Sequence, residues 1–63
     1  MNRWRVVFTI SDCIKLSCLV EALDPADATE AALFTFKSSH PRFVLEAHKA
    51  VAEGRVYAEA VIA

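Results

Sequence analysis

The sequence predicts one small α+β domain over residues 1–63, with a ββαββ layout: a four-stranded antiparallel sheet in the order 2-1-3-4, with one helix packed on one face. Two stretches, Arg3 to Ile10 and Cys13 to Ala22, alternate with the two-residue period of half-buried strands. Between them and the last third, Asp24-Pro25-Ala26-Asp27 has the composition of a helix start. Hydrophobic residues make up 56% of the 63 positions, with one Gly and two Pro, which excludes a disordered tail, a linker or a collagen-like repeat.

In the first strand Trp4, Val6, Phe8 and Ile10 share one face, and Arg3, Arg5, Val7 and Thr9 the other. The second strand puts Ile14, Leu16, Cys18, Val20 and Ala22 on one side and Cys13, Lys15, Ser17, Leu19 and Glu21 on the other. Directly opposed residues share a face, so matching Ile10 to Ile14 requires a three-residue loop, Ser11-Asp12-Cys13, or a bulge near it. Phe8 then lies beside Leu16 and Val6 beside Cys18. Asp24 follows as an N-cap acceptor, Pro25 as first helical residue and Asp27 as the acid that a helix N-terminus favours. Ala28, Thr29, Ala32, Leu33 and Phe36 form the inward stripe, with Lys37 in the last turn before Ser38-Ser39-His40-Pro41. Asp27, Glu30, Lys37 and Phe34 fall on the opposite face, where the aromatic is out of place.

Residues 43–62 admit two readings. As a hairpin turning at Glu53-Gly54, Val51 faces Val56, Ala47 faces Ala60 and Leu45 faces Ile62. As a helix ending at Gly54, Phe43, Ala47, Ala50 and Val51 make the stripe and only one strand follows. The hairpin matches more apolar pairs and is the reading behind the four-stranded sheet. A right-handed crossover from the second strand sets the third antiparallel beside the first. The uncovered face then carries Arg3, Arg5, Val7, Thr9, Lys15, Leu19, Glu21, Val44, Glu46, His48, Tyr57, Glu59 and Val61.

Seven Lys and Arg against eight Asp and Glu give a net charge of -1, neither the excess of a nucleic-acid binder nor that of a nucleic-acid mimic. There is no signal-peptide core and no apolar run of membrane-spanning length, so the expected location is cytoplasmic, with no membrane contact. Cys13 and Cys18 fall on opposite strand faces, too far apart to bridge, and neither has ligand spacing for zinc. No cofactor or metal is expected. The hairpin reading brings His48 near Glu59, which is an ordinary exposed cross-strand pair. With no other acid–base arrangement and no glycine-rich loop, the expectation is a protein that is not an enzyme.

Surplus apolar groups on charged faces are the composition of an interface. The expected function is protein binding, with Phe34 and Tyr57 as buried anchors and Arg3 and Arg5 as charged partners. One alternative is a small structural homodimer that consumes the sheet face. A second is nucleic-acid binding by Arg3, Arg5 and Lys15 of the first hairpin, against which alternation buries Trp4 and places Glu21, Glu46 and Glu59 on the face of the arginines.

The strand starting at Arg3, the short hairpin, and the run from Leu19 through Asp24-Pro25 to Ala32 resemble small proteins of phages and mobile elements, among them some type I anti-CRISPR inhibitors. The resemblance is one of layout and brings no diagnostic motif. It implies a phage-encoded inhibitor, working in the host cytoplasm, that docks without catalysis on a CRISPR effector complex. The near-neutral charge departs from the acidic, DNA-mimicking members, so docking by shape with a few charged anchors is the implied mode.

Overall fold

A computed structural model describes residues 2–61. Two strands, β1 (Asn2–Thr9) and β2 (Lys15–Ala22), lead into helix α1 (Pro25–Ser39). A 3-10 turn (Pro41–Phe43), helix α2 (Val44–Ala52) and strand β3 (Val56–Ala60) follow. The sheet has three strands in the order β2-β1-β3, and β1 is antiparallel to both neighbours.

The first hairpin has the expected register, Phe8 opposite Leu16 and Val6 opposite Cys18. The Ile10 N–H donates to the Ile14 carbonyl at 2.9 Å and the Ile14 N–H to the Ser11 carbonyl at 3.3 Å, closing the turn over Ser11, Asp12 and Cys13. Helix α1 opens as its sequence indicates: the Asp24 side chain accepts from the Asp27 N–H at 2.8 Å, and Pro25 fills the first turn, where no intrahelical donor is needed. His40 is the C-cap, its N–H donating to the Phe36 carbonyl.

The expected four-stranded sheet with one helix is corrected here. Residues 44–52 form a helix, and the described residues supply one strand after it. Gly54 decides the matter locally. A two-residue hairpin of the favoured twist needs positive φ at both central positions, or at the first. Glu53 has φ -95° and only Gly54 is positive, at 73°. Gly54 is instead the left-handed residue after a helix C-cap. Its N–H donates to the Val51 carbonyl at 3.2 Å and the Arg55 N–H to the Ala50 carbonyl at 2.7 Å, the paired bonds of a Schellman ending. The Arg55 guanidinium then ties this turn to β1, donating to the Thr9 carbonyl at 2.9 Å and to Glu53.

Both helices pack on the even-numbered face of the sheet. Val6, Phe8, Ile10, Cys18, Val20 and Ala22 meet Ala28, Ala32, Phe36 and Ala47 in one core, with Trp4, Leu16, Val56 and Ala58 at its margin. The helix side of that core is mostly alanine, which lets backbone approach backbone. Phe36 fills the centre, its ring 4.8 Å from that of Phe8 and 5.0 Å from that of His40. Among the described residues no buried side-chain nitrogen or oxygen lacks a partner. No described helix is long and apolar enough to cross a membrane.

Candidate functional site: the uncovered sheet face

With both helices on the even face, the odd-numbered residues are left uncovered, and the register arranges them in rows. Ser17, Val7 and Tyr57 form one row; Leu19, Arg5 and Glu59 form the next. Lys15 and Thr9 lie at one end of β2, and Arg3 and Glu21 at the other. Val7 is only 8% exposed although no helix covers it, so the side chains of its own face enclose it. Leu19 at 60% and Tyr57 at 50% stand open on either side. The face therefore sets Val7, Leu19 and Tyr57 around the charged pair of Arg5 and Glu59 in its middle, with further charges at both ends.

Arg5 donates from Nη1 to Glu59 Oε1 at 3.2 Å. Both side chains are about half exposed, so the pair is worth roughly 0.2–1 kcal/mol and serves mainly to hold its geometry. Among the described residues no ion pair forms at Arg3. A recess of about 250 Å³ is lined by Arg3, Leu19, Val20 and Glu21 at the corner where β1 and β2 begin and end.

Arg3, Arg5 and Tyr57, three of the four residues singled out in the sequence, share this face. Phe34 does not: it is on the outer side of α1, 77% exposed, in the other layer of the molecule. Leu19 belongs with the three and was legible as a large apolar residue at the middle of an alternating strand. Leu45 is equally open at 77% because it lies on α2 off the buried positions Ala47 and Ala50, where the hairpin reading had paired it inward with Ile62. Ile62 lies outside the described residues. The same correction moves Val44, Glu46 and His48 from the sheet face to α2, so the pairing of His48 with Glu59 is replaced by that of Arg5 with Glu59.

Trp4 is half-buried on the helix side, its Nε1 donating to the Ala22 carbonyl at 3.1 Å, so it offers the arginines no stacking platform. Both cysteines are unbridged, Cys13 exposed and Cys18 buried, and burial pushes the Cys18 thiol up from its ordinary value. No group of three or more His, Cys, Asp or Glu among the described residues could hold a metal ion. In its outline the molecule is a three-stranded antiparallel sheet backed by two helices, presenting one mixed apolar and charged face. Comparison with protein-family models, with curated proteins and with solved structures finds no match for the chain.

Proposed function

We propose that the protein acts without catalysis, by binding another protein through the uncovered sheet face. The observation that carries this reading is the row structure of that face, with Leu19 and Tyr57 open on either side of the enclosed Val7 and charges at both ends. Aromatic and aliphatic anchors inside a charged rim are where binding energy concentrates. Arg3 and Arg5 would meet carboxylates of the partner, Arg5 exchanging or sharing Glu59. Phe34 is removed from this surface.

The finer proposal, an inhibitor that docks on a host CRISPR effector complex in the cytoplasm, rests on the resemblance of residues 3–32 alone. The second half of the chain departs from that layout, with α2 and one strand where it has two strands.

The test is capture of a partner by the immobilised chain, including a purified type I effector complex, compared across Leu19→Ala, Tyr57→Ala and Phe34→Ala. The first two should each weaken capture at least tenfold, about 1.4 kcal/mol or more, with Phe34→Ala unchanged. Equal capture by all three variants, each shown folded by circular dichroism, would remove the sheet face as the binding surface.

A further inference from the structure

We propose that β2 pairs with β2 of a second copy of this chain, antiparallel across a two-fold axis at Cys18, to make a continuous sheet in the order β3-β1-β2-β2-β1-β3. β2 is an edge strand of eight residues without proline, and no described strand pairs with its outer side. Its outward hydrogen-bonding groups can be assigned. The Ile10 N–H donates to the Ile14 carbonyl, so the even-numbered residues of this ladder bond to each other between β1 and β2. On β1 the odd-numbered residues bond to β3 instead: Thr9 donates to the Arg55 carbonyl, and the Arg3 carbonyl accepts from Val61. Lys15, Ser17, Leu19 and Glu21 therefore turn their N–H and C=O groups outward, and all four are exposed. Natural edges are usually blunted by proline, a bulge or charged side chains, and this one has no proline and carries charge only near its two ends, at Lys15 and Glu21.

Charge selects the occupant and the register. A two-fold antiparallel ladder must bond odd residues to odd residues here. Centred on Cys18, it sets Lys15 opposite Glu21 and Ser17 opposite Leu19, each twice, with both outward groups of all four residues bonded. On the helix side Leu16 then meets Val20, covering a residue that the monomer leaves half-buried. Centred on Leu19, the ladder sets Ser17 against Glu21 and leaves Lys15 beyond the strand, opposite Leu23. Centred on Ser17, it sets Lys15 against Leu19 and Glu21 against the turn residue Cys13. Only the first register joins opposite charges, a cross-strand pairing that the other two registers lack. Basic at its start and acidic at its end, β2 is complementary to its own reverse.

This assembly leaves the odd-numbered face open and doubles it across one continuous sheet, so it stands apart from the partner proposed above. A monomer that captures a partner would overturn it alone. The experiment is light scattering after size exclusion over a hundredfold concentration range, on the parent, Lys15→Glu, Glu21→Lys, the double variant and Ser17→Pro. The parent should rise from 7.0 kDa toward twice that mass. Each single charge reversal should raise the dissociation constant about tenfold, and the double variant should return it to within about threefold of the parent. Ser17→Pro removes an outward donor without touching the β1 ladder and should be monomeric throughout. Lys15 and Glu21 are exposed, so the charge series reports on the interface even where the proline variant loses stability. A parent that is monomeric at every concentration overturns the proposal. So does a dimer indifferent to the single reversals, a double variant that fails to recover, or a folded Ser17→Pro that still dimerises.

Discussion

Replacing Phe36 by alanine should remove at least about a third of the chain's stability, while the same change at Phe34, two positions earlier on the same helix, should be nearly silent. Phe36 is fully buried, with its ring 4.8 Å from Phe8 and tilted by 53° to it, and 5.0 Å from His40. Truncating such a residue costs about 3–5 kcal/mol, since alanine neighbours cannot collapse into the void. Within that sum the lost aromatic pairing is about 0.5–1.5 kcal/mol. A chain of 63 residues has roughly 3–9 kcal/mol in all, at about 0.05–0.15 kcal/mol per residue, so the loss is comparable with the whole. Phe34 is 77% exposed, and its removal should change stability by no more than about 0.5 kcal/mol. Urea titration followed by Trp4 fluorescence would measure both, because the half-buried indole reports on the β1–β2 pairing to which it is hydrogen-bonded. Unchanged slopes with a displaced midpoint identify a loss of stability. Similar costs for the two variants, or less than about 1 kcal/mol for Phe36→Ala, would refute the assignment of inward and outward helix faces.

Two further outcomes follow from the turn and the buried thiol. Gly54→Ala should cost about 1–2 kcal/mol in the same titration although nothing lies within 4 Å of the added carbon, because the cost is that of a left-handed backbone at φ 73°. Burial lifts Cys18 above the ordinary thiol value of 9.0, so past that pH the unfolded chain ionises first and binds fewer protons than the folded one. That contribution to stability is intact below pH 9.0 and declines as pH rises from there through the raised value in the fold. Stability measured at neutral pH and above 9.0 should fall more in the parent than in Cys18→Ala, and equal falls would remove the effect.

How far the sequence could be read depended on whether one period or two fitted it. Arg3 to Ala22 supports only the two-residue alternation, so the strands, their faces and their register were legible in the residues themselves. Asp24-Pro25 and the stripe to Phe36 likewise support only a helix. In Val44 to Ala52 the apolar positions satisfy both periods, since Ala47 and Val51 belong to a helical stripe and also to an alternating strand. Pair matching favoured the strand. The physical balance lay elsewhere: Ala, Glu, Lys and Leu are strong helix formers, Pro41 opens the 3-10 turn that leads into α2, and Gly54 follows the C-cap that ends it. The sheet-face residues Arg3, Arg5 and Tyr57 were found because they lie on strands whose phase was read correctly. Phe34 was rightly placed on the outer face of its helix, but sequence alone could not say that this face and the open sheet face look in opposite directions.

The alanine lining of the helix–sheet contact divides the chain into positions that can and cannot vary. Ala28, Ala32 and Ala47 have no exposed surface, and a larger side chain at any of them would push a helix off the sheet at a cost of about 1–3 kcal/mol. In so small a domain one such change consumes much of the stability margin. Apart from the enclosed Val7, the odd-numbered face bears no comparable restriction, because its side chains are open to solvent over a backbone already fixed from behind. A lineage carrying this fold could alter what the face recognises residue by residue while the alanine layer stayed constant. Drift among relatives should then concentrate at Arg3, Leu19, Tyr57 and their neighbours, and leave the small buried residues alone.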